Sequence, residues 1–160
     1  METKPVEDTQ RITEEQKCDK LDEVFKTERD KWSVLIKDLV AKVKDVTAIT
    51  EAQATMLSYR HIFNDQIAKY RSTLAKRKAG NSKQWQIRFN YYKTPNPNLQ
   101  IRYQDRELQE HIKADLAFRT RENDILMNQI TWFEDAVQTM DKLGYSIKVA
   151  VDLETKLKYH

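Results

Sequence analysis

The sequence predicts an all-α protein built from a few long amphipathic helices, and three observations predict it. Glycine occurs only twice and proline three times in 160 residues, so breakers are too scarce for many turns. Charged residues make up 33% and hydrophobic ones 39%, a polar balance that suits helices burying one stripe and solvating the rest. The apolar residues recur at three- and four-residue steps over long stretches.

Residues 1–17 are polar and acidic without a period, and they read as a disordered N-terminal extension. The first helix is expected from about Asp19 to Lys44, with Val24, Phe25, Trp32, Leu35, Ile36 and Leu39 on its stripe. Asp45-Val46-Thr47 is the expected break, with Thr47 or Thr50 able to cap the next helix. The second helix is expected from about Thr47 to Tyr92. Met56, Phe63, Ile67, Tyr70, Leu74, Trp85, Phe89 and Tyr92 fall on one stripe at 100° per residue. Gly80-Asn81 interrupts them and would ordinarily signal a turn. The stripe resumes in phase beyond it, which a turn has no reason to preserve, so one continuous helix is expected.

Pro95 and Pro97 end that helix, because proline lacks an N–H and restricts the residue before it. Leu99–Arg106 is the one plausible extended piece. A third helix is expected from Glu107 to Leu143, closed by Gly144 in a left-handed conformation. A short last helix is expected over Ile147–Lys158. The chain thus divides into the extension 1–17, an N-terminal helical region 18–98 and a C-terminal helical region 99–160.

Much chemistry is missing from the sequence. Two distant glycines make no phosphate-cradling loop. The histidines are isolated and Cys18 is the sole cysteine, so neither metal-ligand spacing nor a disulfide framework exists. No apolar run is long enough to cross a membrane, and the N-terminus lacks the core of a signal peptide. A non-enzymatic cytoplasmic protein without a cofactor is expected, working by binding other macromolecules.

Charge locates the binding. Arg60 to Lys93 holds nine bases and one acid, a net of +8 in a chain of net +3, which leaves −5 for the rest. Such a segment suits a polyanionic partner, although a solvated helix face looks the same. Within it, Lys83-Gln-Trp-Gln-Ile-Arg-Phe-Asn-Tyr-Tyr-Lys93 interleaves four aromatics with three bases. Single-stranded nucleic acid asks for this mix of cations for phosphates and rings for bases. Lys76, Arg77, Lys83, Arg88, Tyr91 and Lys93 are the candidate contacts. Trp85, Phe89 and Tyr92 lie on the apolar stripe and read better as core anchors.

The run Trp85-Gln-Ile-Arg-Phe-Asn-Tyr-Tyr resembles the signature of UvsY-type recombination mediators of tailed phages. Met56-Leu-Ser-Tyr59 is similar to the segment before that family's long basic helix. Leu143-Gly-Tyr-Ser-Ile-Lys148, followed by Asp152, is similar to its ending, and Asp115 matches an aspartate at comparable spacing. The resemblance covers about residues 46–158. Two departures stand out: Gln86 replaces the first of the family's paired bases, leaving Arg88, and the N-terminal extension is long. The resemblance implies a ring-like homo-oligomer that binds single-stranded DNA. It also implies binding to a phage single-strand-binding protein and to a RecA-like phage recombinase, which the mediator loads onto covered DNA. Trp132, Phe133, Val137, Met140, Ile147 and Val151 are then the expected oligomerisation residues of the C-terminal region. The competing reading is a helical adaptor or assembly chaperone without nucleic acid.

Overall fold

The computed structural model describes residues 5–94 and 104–158, and every regular element there is helical. The elements are α1 (Pro5–Val43), a single 3₁₀ turn (Val46–Ala48), α2 (Ile49–Lys93), α3 (Asp105–Asp115) and α4 (Ala117–Lys158). The expected piece Leu99–Arg106 lies largely outside the described residues; its last two positions open α3.

The helices depart from expectation at four points. Helix begins at Pro5 rather than beyond residue 17. Proline suits a first helical position because the N–H it lacks would have no partner there. Cys18, one turn beyond residue 14, is fully buried and anchors this end of α1. The cap between α1 and α2 is Asp45, whose carboxylate accepts from the Thr47 N–H at 3.0 Å and the Thr47 hydroxyl at 2.7 Å. These two donors hold the Asp45 carboxyl below its ordinary pKa.

The C-terminal half breaks at Leu116, not at Gly144. Leu116 leaves helical geometry at φ −103°, ψ 7°, while its N–H still reaches the Ile112 carbonyl at 3.1 Å. No described glycine has a positive φ. Gly144 lies inside α4, where a Cβ would come within 3.3 Å of the Met56 Cε, so its bare Cα makes room for the Met56 side chain. At Gly80 a Cβ would meet nothing within 4 Å, and α2 runs through it unbroken as the phase of the stripe predicts.

The chain divides into two units: Met1–Glu23 with Ser72–Met127, and Val24–Arg71 with Asn128–His160. The second unit is held by an aromatic cluster. Phe63, fully buried, meets Trp32 edge-on at 4.9 Å, Phe133 at 5.5 Å and Trp132 at 6.4 Å. Tyr70 stacks on Phe133 at 6.0 Å and meets Phe25 at 5.4 Å. Beside them Gln129, with no exposed surface, is satisfied on both amide atoms. Its oxygen accepts from Arg29 at 2.9 Å and its nitrogen donates to Glu28 at 2.9 Å. Glu28 also accepts from the Tyr70 hydroxyl at 3.1 Å. A buried polar group without partners costs about 1–3 kcal/mol, so this network favours the helix register that completes it.

The first unit is smaller in aromatic content. Leu108, Ile112 and Leu116, at four-residue steps along α3 and its end, form a buried row against Phe89 and Tyr92 of α2. The α3 N-terminus is secured by Glu107, whose carboxylate accepts from the Gln104 N–H at 3.3 Å. Cys18 rests with its Sγ 3.7 Å from the Phe118 carbonyl, and burial pushes its thiol pKa up, making it a core residue and a poor nucleophile.

This packing sets the direction of three substitutions. Gly80→Ala is expected to raise stability by up to about 1 kcal/mol, or roughly 2–4 °C in Tm, because glycine is a poor residue inside a helix and space is free. Gly144→Ala gains less, since Met56 has to shift; thermal melts of both variants check the order. Burial, then Glu28, pushes Tyr70 from its ordinary value of 10 up to about 12. A raised folded-state pKa means stability present in full below pH 10 and lost as the pH climbs through 12. Tyr70→Phe is therefore expected to lessen the loss of stability between pH 10 and 12, as read from denaturant melts of both proteins across that range.

Candidate nucleic-acid interface

The basic end of α2, from Ser72 to Lys93, contains no aspartate or glutamate. The structure sorts its cations into two groups. Arg77 lies 3.2 Å from Glu122 of α4, Arg88 pairs with Asp115 at the end of α3, and Lys93 lies 3.3 Å from Asp105 at the start of α3. Lys93 also sits over the Phe89 ring at 4.8 Å. Arg77 and Arg88, eleven residues apart, do share a face as expected, but that face is turned to acidic side chains of the same unit.

Asp115 is the centre of this arrangement. Its Oδ2 accepts from Arg88 and, at 3.0 Å, from the Tyr92 hydroxyl. Burial and this hydrogen bond raise the Tyr92 pKa above its ordinary value. The residue that the sequence singles out only by resemblance thus ties α3 to α2 through two donors. Arg88, expected to contact DNA, pairs with Asp115 in this structure.

The other group faces outward. Lys76, Lys78 and Lys83 have no ion-pair partner among the described residues. On the helix, Lys76, Lys83, Ile87 and Tyr91 fall on one face, where Ile87 is 50% and Tyr91 55% exposed. Tyr91 meets Tyr92 edge-on at 5.4 Å, which fixes its ring beside the core while leaving it open to solvent. Of the six candidate contacts, Lys76, Lys83 and Tyr91 therefore share an open face, and Arg77, Arg88 and Lys93 do not belong to it.

Trp85 is neither core nor fully exposed. It stacks on Phe89 with ring centroids 5.0 Å apart and planes 15° from parallel, and it keeps 36% of its surface. It borders a groove of about 770 Å³ shared with Asn81, Gln86, Lys113, Arg121 and Asp124. A second cavity of about 470 Å³ lies on the opposite flank of α2, between Glu14, Glu15, Cys18, Arg88, Asp115 and Arg121. Arg121 is held there by Asp19 at 2.6 Å and Glu15 at 3.6 Å. Nothing in the sequence pattern revealed the groove, because Leu116, whose break helps to shape it, is neither glycine nor proline.

The expected oligomerisation residues divide likewise. Phe133, Met140 and Ile147 are buried in their own unit at 0%, 0% and 3% exposure, so they are core residues and not surface ones. Trp132 and Val137 are half-buried, Trp132 against Phe63 and Phe133. Val151 is exposed, as are Tyr145, Val149, Leu153 and Leu157. The sequence missed this last set, which recurs every four residues and lines one side of the end of α4.

Among the described residues no three histidine, cysteine, aspartate or glutamate side chains converge to hold a metal ion. No helix there is long and apolar enough to cross a membrane. Comparison of the chain with models of known families, with characterised proteins and with solved structures gives no match.

The pairing of Arg88 gives a stability prediction. Arg88→Ala and Asp115→Ala are each expected to lower Tm. A double-mutant cycle is expected to show a coupling of about 1 kcal/mol, the modest figure suited to a partly exposed ion pair. Additive effects in the denaturant melts would separate the two residues energetically.

Proposed function

We propose that the chain binds single-stranded nucleic acid along the outward face of α2. The observation that carries this reading is the conjunction of unpaired Lys76 and Lys83 with exposed Ile87 and Tyr91, on a helix segment without a single acid. Ammonium groups neutralise successive phosphates, and an open tyrosine offers a base a stacking surface. Lys78, about 200° around the helix from Lys76, lies off this face and adds only to the general positive field of the segment. Two cations make a weak site, so several copies on one strand serve it through avidity.

The resemblance to UvsY-type mediators supports the finer reading: a homo-oligomer that loads a RecA-like phage recombinase onto DNA covered by a single-strand-binding protein. The exposed row Tyr145, Val149, Leu153 and Leu157 supports the homo-oligomeric part, since such a stripe on one helix is suited to a partner helix.

One observation favours the adaptor reading. Of the nine bases from Arg60 to Lys93, five form ion pairs within the protein: Arg60 with Asp141, Arg71 with Glu134, Arg77 with Glu122, Arg88 with Asp115 and Lys93 with Asp105. Lys69 is engaged within the protein as well. Six of the nine bases are therefore engaged within the protein, five of them in ion pairs that remain partly exposed. Of the three lysines that remain, Lys76, Lys78 and Lys83, the single-strand reading stands on Lys76 and Lys83, which share the open face.

Fluorescence anisotropy with a labelled thymidine oligomer tests it. Affinity is expected to fall steeply with salt, and Lys76→Ala with Lys83→Ala to flatten the log–log slope by about 1.4, at about 0.7 per phosphate contact. Tyr91→Ala is expected to weaken binding without changing the slope, because stacking carries no charge. A wild-type protein that binds no single strand at low salt leaves the adaptor reading in place.

A further inference from the structure

We infer that the groove beside Trp85 is a subsite for one unstacked nucleobase; the inference rests on the single-strand reading and deepens it. The groove is amphipathic in a way that matches a base more closely than other small groups. Phe89 covers one face of the Trp85 indole, and the exposed part of the ring borders the groove. A ring stacked on its neighbour is already ordered, so a base that stacks on it meets little further entropy cost.

Three polar groups of the lining are uncommitted. The side-chain amides of Asn81 and Gln86 make no hydrogen bond among the described residues, and neither does the Asp124 carboxylate. Together they present both donors and acceptors, the pattern that the edge of a base requires. Lys113, across the groove, is engaged only with Glu110 at 3.1 Å, in a surface pair with both side chains 67% exposed. Such a pair is worth little and gives way to a phosphate. The volume of about 770 Å³ lies within the range of small-ligand sites.

The chemistry excludes simpler occupants. A purely apolar side chain or acyl chain would desolvate two amides and a carboxylate without replacing their hydrogen bonds with water. A bare anion would meet Lys113 and Arg121 but would leave the Trp85 ring and the two amides unused. A base satisfies both the ring and the polar groups, and its own phosphate reaches Lys113. The route is short, since on α2 Gln86 falls between the Lys83 stripe and Trp85.

Two labelled strands of equal length test the subsite: a thymidine oligomer, and the same backbone with abasic sites throughout. Trp85→Leu is expected to weaken binding of the thymidine strand about tenfold, within the range for loss of one stacked base, while the abasic strand is unaffected. The Lys76→Ala, Lys83→Ala double variant weakens both strands alike. An equal effect of Trp85→Leu on both strands, or none on either, overturns the subsite while leaving the lysine face standing. Absence of wild-type binding to both strands overturns the single-strand reading and the subsite with it. Photocrosslinking of the wild-type protein to a 5-iodouracil strand needs no variant: an adduct on Trp85 supports the subsite, and adducts on Tyr91 alone overturn it.

Discussion

A helix of 45 residues cannot fold back on itself, so α2 has to find side chains from other segments to cover its stripe at every turn. In one unit that cover is the aromatic cluster around Phe63 and the polar network of Gln129, Glu28, Arg29 and Tyr70. In the other it is the row Leu108, Ile112 and Leu116, with Asp115 gripping Arg88 and Tyr92. Each solution places something polar beside the apolar contact. Hydrophobic burial is indifferent to register, whereas a buried amide or carboxylate tolerates only the arrangement that satisfies it.

This need for cover also shapes what α2 can offer to a partner. The cations that fall near the stripe are drawn into ion pairs with the elements that cover it. Those on the far side keep their charge for solvent. Position on the helix accounts for four of them: Arg77 and Arg88 fall on the covered side and meet carboxylates, and Lys76 and Lys83 on the open side meet none among the described residues. A planar guanidinium suits a fixed carboxylate, and a flexible ammonium suits phosphates whose positions vary along a strand.

Much of the fold was legible because periodicity reports burial directly. The unbroken passage of α2 through Gly80 was readable from the phase of Leu74 and Trp85 on either side. The break before α2 was readable from Asp45-Val46-Thr47, although Asp45 and not a threonine supplies the cap. The features that escaped are tertiary. Gly144 looked like a terminator, and its real role depends on Met56, eighty-eight positions earlier in the chain. Leu116 breaks the helix without any breaker residue. The six candidate contacts were found by charge and ring content, which cannot tell a paired base from a free one: Glu122, Asp115 and Asp105 had to be seen in place.

The central claim is that Lys76 and Lys83 meet the phosphates of a single strand. Lysine acetylation mapped by mass spectrometry, with and without a thymidine oligomer, tests it without substituting a residue. The account predicts that the strand protects Lys76 and Lys83 while Lys31 and Lys37 of α1 react as before. Equal modification of all four lysines with and without the strand would contradict it.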